Sequence, residues 1–78
     1  MIHIKCFGIA KEIVDSDTTT IDSPSITVAD LRKRMNEQYK TFTQIKGYMI
    51  AVNQEYATND QIINVGDEVA IIPPVSGG

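Results

Sequence analysis

Only one cysteine and one histidine occur among the 78 residues, and each scarcity closes off a class of chemistry. One cysteine excludes an intrachain disulfide framework and a cysteine-ligated zinc site, and it fits a reduced, cytoplasmic setting. Cys6 and the lone His3 stand three positions apart in an alternating stretch. A strand there turns them to opposite faces, so they cannot form a nucleophilic pair. Cys6 therefore reads as a small buried hydrophobe, and His3 as an exposed strand residue rather than a base. The five glycines are scattered at positions 8, 47, 66, 77 and 78, which leaves no glycine-rich loop to cradle a phosphate. Basic residues are also short: seven Lys and Arg against ten Asp and Glu give a net charge of −3. That balance argues against nucleic acid as a partner and suits a protein partner with a basic face. No apolar run approaches the length of a membrane span. The opening Met1 to Phe7 has neither the charged region nor the long apolar region of a secretory signal.

What is present suffices for one small folded domain over residues 1–78. Hydrophobic residues make up 42% of the chain, enough for one modest core, and they fall in patterned runs that argue against disorder. Ile2, Ile4 and Cys6 alternate with His3, Lys5 and Phe7, the period of a half-buried strand that Gly8 ends. The β-branched cluster Thr18 to Ile21 predicts a second strand, and Asp22-Ser23-Pro24-Ser25 breaks it. Thr27 is a helix N-cap with Asp30 three residues on. The helix is predicted from Val28 to about Tyr39, with Val28, Leu31, Met35 and Tyr39 on one face. Arg32, Lys33, Arg34, Glu37 and Lys40 decorate the rest, which reads as a solvated surface. Met49 to Asn53 predicts a third strand, Asn53-Gln54-Glu55 and Asn59-Asp60 turns, and Gly66-Asp67 an entry into a last strand, Glu68 to Ile72. The order describes an α+β domain with one helix packed across a mixed sheet.

Conventional catalysis finds no constellation here. Asp67 and Glu68, adjacent acids beside Gly66, read as a solvated turn. What stands out is the end, Pro73-Pro74-Val75-Ser76-Gly77-Gly78. Two prolines hold the chain extended and out of the sheet. The bare glycines then fit a slot too narrow for any side chain. One reading is a frayed terminus. The other is a projecting carboxylate for another protein's active site. A carboxylate is a poor electrophile and needs activation, typically as an acyl-adenylate formed with ATP. A sulfur or nitrogen nucleophile then displaces the nucleotide. Gly78 suits this because no side chain crowds its carbonyl, and the prolines thin the free ensemble that docking must order.

The run Gly66 to Gly78 resembles the ending of the small, sulfur-carrying subunits of molybdopterin synthase, a ubiquitin-like family. Ala51 to Tyr56, Ile2 to Gly8 and the helix start Thr27 to Leu31 extend the resemblance over the whole chain. It implies a β-grasp fold, a mixed sheet curled around one main helix, with an extended tail over residues 73–78. It also implies that a ubiquitin-activating-like adenylyltransferase consumes ATP to adenylate Gly78. A sulfur donor, such as a cysteine desulfurase or rhodanese, then makes the thiocarboxylate. The tail, Pro73, Pro74, Val75, Ser76 and Gly77, would thread into the synthase large subunit, in a heterotetramer. There the sulfur builds the dithiolene of molybdopterin from cyclic pyranopterin monophosphate, in two carrier turnovers. No metal and no resident cofactor are implied. Two departures from the family are visible. Ile71 and Ile72 stand where aromatics often precede the double proline. Lys11 to Asp15 follows the family's turn only loosely, and Lys11 does not reproduce a bidentate arginine.

The apolar positions near the tail, Phe7, Ile71 and Ile72, are candidates for partner docking. Alternation sends one of the two isoleucines inward, and Phe7 reads equally as core. Three other readings stay open. A thiamine-pathway sulfur carrier also ends in Gly-Gly, but resembles a chain without this double proline. A ubiquitin-like modifier would join Gly78 to target lysines. A plain binding module would leave its tail idle.

Overall fold

The computed structural model describes residues 1–45 and 47–74. Val75, Ser76, Gly77 and Gly78, to which the sequence assigns the chemistry, lie outside the described residues. In chain order the elements are β1 (Ile2–Cys6), α1 (Gly8–Val14), β2 (Thr18–Ile21), β3 (Ser25–Thr27) and α2 (Val28–Gln38). A 3-10 segment (Lys40–Gln44) follows, then β4 (Met49–Val52), β5 (Glu55–Tyr56), β6 (Ile62–Asn64) and β7 (Val69–Ile72).

Five strands form one mixed sheet in the order β2-β1-β7-β4-β5. β1 and β7 run parallel, and the other neighbours are antiparallel. A parallel pair needs a long connection between its strands, and nearly the whole chain supplies it here. β3 and β6 make a separate antiparallel pair. α2 lies over one face of the large sheet, burying Val28, Leu31 and Met35 in a core that includes Ile4, Ile50 and Ile71. This is the β-grasp arrangement. Each fully buried aliphatic side chain contributes about 1.5–3 kcal/mol relative to exposure.

β2 occupies the predicted span, and β1 ends at Cys6, one residue before the predicted Phe7. In β1 every second residue is buried, so Cys6 points into the core while His3 faces out. Thr27 caps α2, its Oγ1 accepting the Asp30 N–H at 3.1 Å. The helix ends at Gln38 rather than Tyr39, whose backbone has left helical geometry. The Tyr39 hydroxyl meets Thr19 Oγ1 at 2.9 Å, and its ring lies 5.9 Å from that of Phe42. Those contacts draw it out of the helical path. Asn53 leaves the third strand for the same kind of local reason. Asn53 and Gln54 both take positive φ, the geometry of a two-residue type I′ hairpin turn, and Glu55 begins β5 instead of closing the turn.

Further elements lie outside the predicted set. α1 starts at Gly8 with no side-chain cap and buries only Ala10. β3, β5 and β6 are two or three residues long, too short for an alternation to register. The 3-10 segment carries Phe42, which is fully buried. Arg32, counted with the solvated helix surface, is half-buried. Its Nε donates to Asn59 Oδ1 at 3.0 Å and its Nη1 to the Tyr48 carbonyl at 3.1 Å. The guanidinium lies 4.8 Å from the centre of the Tyr48 ring, a cation–π contact that fastens α2 to the loops beside β4. Among the described residues no helix is long and apolar enough to cross a membrane.

Candidate functional site: the root of the C-terminal tail

β7 is paired on both sides. Ile4, Lys5 and Cys6 of β1 stand opposite Val69, Ala70 and Ile71, and Met49 to Val52 of β4 run opposite Ile72 to Val69. A strand held between two neighbours is a fixed platform for whatever follows it. Its entry is equally fixed. Asp67 accepts hydrogen bonds from the Asn64 amide at 2.8 Å and from the Asn53 side-chain amide at 3.2 Å. The Glu68 N–H donates to Asn53 Oδ1 at 2.9 Å, and the Asn53 N–H to the Glu68 carbonyl at 2.7 Å. The Asn64 amide, and after it Asn53, hold the Asp67 carboxyl below its ordinary range. The adjacent acids thus belong to a structural turn, as the sequence reading has them.

The sheet ends where proline begins. Pro73 has no N–H to offer a neighbour. It is half-buried, whereas Pro74 is exposed. Pro73 lies against Gly8, where the chain reverses from β1 into α1 with a φ of +56°. A methyl group at position 8 would stand 3.6 Å from Pro73 Cγ.

Beside this exit the outer face of the sheet is apolar. Phe7 follows Cys6 in extended conformation and therefore faces away from the core, with half its surface exposed. Ile72, half-buried, shares that face with Met49, its partner across β4 and 42% exposed. The next row holds Ala70, Ala51 and Tyr56. Tyr56 is 66% exposed and Ala51 is buried, so small residues form a floor between larger ones. Ile71 must be removed from the docking set. It is fully buried on the inner face with Cys6 and Ile50, opposite which it pairs. Of the three candidates, Phe7 and Ile72 remain available at the surface.

The one thiol does not compete with the tail. Cys6 is 3% exposed, and burial pushes its thiol up from the ordinary range, which keeps it protonated and unreactive. No three His, Cys, Asp or Glu side chains among the described residues stand close enough to share a metal ion. Lys11 pairs within the chain with Asp17 at 2.7 Å. That hydrogen bond and the Asp17 charge raise its pKa. A pocket of about 350 Å³ opens between this pair, Lys5 and Phe7, next to Gly8. The sequence reading missed Gly8, Met49, Tyr56 and Ala70. Alternation in β4 and β7 places Met49 and Ala70 outward only once the strand register has put Ile50 and Ile71 in the core. Nothing in the sequence ties Gly8 to Pro73.

The profile of the ThiS family matches residues 4–78. A molybdopterin synthase sulfur carrier subunit from Dictyostelium discoideum is 40% identical, over 96% of this chain and 93% of its own length. The fold matches the small archaeal modifier protein 1 of Haloferax volcanii with a TM-score of 0.82 at 25% identity, covering 99% of this chain and 98% of that one. It also matches a chain in the complex of subunits 1 and 2 of the molybdopterin-converting factor from Helicobacter pylori. That match has a TM-score of 0.68 at 20% identity and covers 99% and 97% of the two chains. A β-grasp domain whose sequence closes on Pro-Pro-Val-Ser-Gly-Gly, matched by the profile over residues 4–78, is a member of the ThiS family.

Proposed function

We propose that this chain is the sulfur-carrier subunit of a molybdopterin synthase and that Gly78 is its reactive residue. The observation that carries the reading is the junction at Pro73. A strand held on both sides ends in two prolines, beside an exposed apolar row formed by Phe7, Ile72 and Met49. Such a junction presents a tail and a docking face to the same partner.

In the proposed cycle a Gly78 carboxylate oxygen attacks the α-phosphorus of ATP and pyrophosphate leaves, in the site of a ubiquitin-activating-like adenylyltransferase. The outer sulfur of a persulfide on a cysteine desulfurase or rhodanese adds to the acyl carbon and AMP leaves. A second thiol then cleaves the S–S bond of the acyl disulfide, itself ending as a disulfide with the donor cysteine. Gly78 is then a thiocarboxylate. Docked on the large subunit, in a heterotetramer, the tail Pro73 to Gly77 carries that sulfur to cyclic pyranopterin monophosphate. Hydrolysis of the acyl–sulfur bond returns the carboxylate, and two turnovers complete the dithiolene. This chain contributes the carried atom, the threading clearance at Gly77 and the docking face. ATP belongs to the activating enzyme, and no resident cofactor is needed. A reduced, cytoplasmic compartment suits the unpaired Cys6.

The test is the mass of the C-terminal peptide from protein isolated from its own cells. Cleavage after Glu68 releases Val69 to Gly78, which contains neither Met nor Cys. Oxidation of sulfur side chains therefore cannot imitate replacement of a carboxyl oxygen by sulfur. A thiocarboxylate fraction and a co-purifying large subunit are expected. Gly78 found in isopeptide linkage to lysines would replace this reading by a protein modifier, the activity named for the archaeal structural neighbour.

A further inference from the structure

We propose that residue 8 positions the tail: the bare Cα of Gly8 is a seat for the Pro73 ring, and this seat sets the direction in which the reactive end leaves the domain. The proposal rests on the carrier reading above and assigns it a residue at the start of α1.

The ring of Pro73 has little freedom of its own. Its φ is fixed by the pyrrolidine, and the preceding Ile72 is locked opposite Met49. Its ring also faces Gly8. A Cβ at position 8 would stand 3.6 Å from Pro73 Cγ and 4.0 Å from Cδ, which is ordinary van der Waals contact. A methyl group fills that gap, and further branching toward the ring pushes it away. The positive φ of Gly8 is a separate demand, shared with Gly47 and Gly66, around which a Cβ would meet nothing within 4 Å. Backbone strain and contact with the tail therefore coincide at Gly8 alone among the described glycines. A stiff Pro-Pro spacer transmits the direction set at its base. Small misplacements of a reacting group are costly, a 1 Å error reaching about 100-fold.

The experiment is ATP–pyrophosphate exchange by the adenylating enzyme of the same organism, with the concentration of this chain varied. Gly8→Ala is expected to lower the melting temperature through its positive φ yet to keep KM within about twofold, because the methyl fits. Gly8→Val adds bulk against the ring, and its KM should rise about tenfold or more. Gly66→Val carries a similar backbone strain away from the tail and should leave KM alone. Should Gly8→Val fail to fold, Pro73→Ala and Pro74→Ala replace it. Both loosen the spacer, but only Pro73→Ala vacates the seat, so its KM should rise further. Equal KM values for Gly8→Val and Gly8→Ala, or for the two proline variants, would overturn the proposal. Independently of any enzyme, proton NMR should show a nuclear Overhauser contact between Gly8 Hα and Pro73 Hγ, and its absence overturns the proposal too. A wild-type chain that shows this contact but supports no exchange would instead remove the carrier reading.

Discussion

Met49 lies directly opposite Ile72 across the β4–β7 pair, one residue before the chain leaves the sheet, and both side chains are on the outer face. The pair joins the docking face to the root of the tail, and it makes the face testable without touching the core. Met49→Glu places a carboxylate in the row that holds Phe7 and Ile72. Binding to the large subunit, followed by titration calorimetry, should weaken at least about tenfold, or about 1.4 kcal/mol. The melting temperature should hardly move, because Met49 is exposed. Wild-type affinity in this variant would place the docking surface elsewhere.

Gly78→Ala tests the tail itself. The domain should fold normally, while adenylation or sulfur transfer falls on the order of 100-fold as the added methyl misplaces the acyl carbon. Full cofactor synthesis by this variant in a carrier-deleted strain would show that the end need not thread a narrow slot.

Phe42→Ala tests the core where sequence patterning was blind. Phe42 is fully buried and sits edge-on to Tyr48, with ring centres 5.8 Å apart. Its truncation should cost about 3–5 kcal/mol, a large share of the margin of so small a domain. Urea unfolding followed by circular dichroism reads the loss.

Asp67→Asn tests the turn that feeds β7. The folded state holds the Asp67 carboxyl below its ordinary value, chiefly through the Asn64 amide and then through Asn53. The stabilisation is therefore fully present above about pH 4, the ordinary aspartate pKa, and is lost as pH falls through the depressed folded value. The asparagine variant should be less stable at pH 7, since its amide would face the Asn53 amide donor to donor. Its urea midpoint should also fall less between pH 4 and pH 2 than that of the wild type. Parallel curves would mean that the turn carries no linked proton.

The parts legible in the sequence were those with a repeating physical signal. β1 alternates over five residues, and α2 has both a cap and a helical stripe, so both were read with correct residues facing inward. β7 was read with its inward and outward parity but not its assignment, since nothing local says that Ile71 rather than Ile72 meets the core. That depends on register with Cys6 and Ile50. α1 keeps Ala10, Ile13 and Val14 at helical spacing, but seven residues without a capping side chain fall below what periodicity resolves. Phe42 is held by tertiary packing on a 3-10 segment that has no apolar repeat. The expectation for the tail rests on a different signal. Its message lies in residue types, proline and glycine, whose conformational rules hold without any fold. The seat beneath it was not legible, because it joins positions 8 and 73 through the sheet.

The placement of β7 between β1 and β4 bears on how the molecule is made. A ribosome delivers this strand after every other element, yet it is the one that joins the two halves of the sheet. Until Ile72 has emerged, β1 with β2 and β4 with β5 are separate hairpin-sized fragments, each too small to persist alone. Completion of the fold is thereby tied to synthesis of the segment that launches the tail. A chain interrupted before Ile72 lacks the strand that unites the two halves of the sheet.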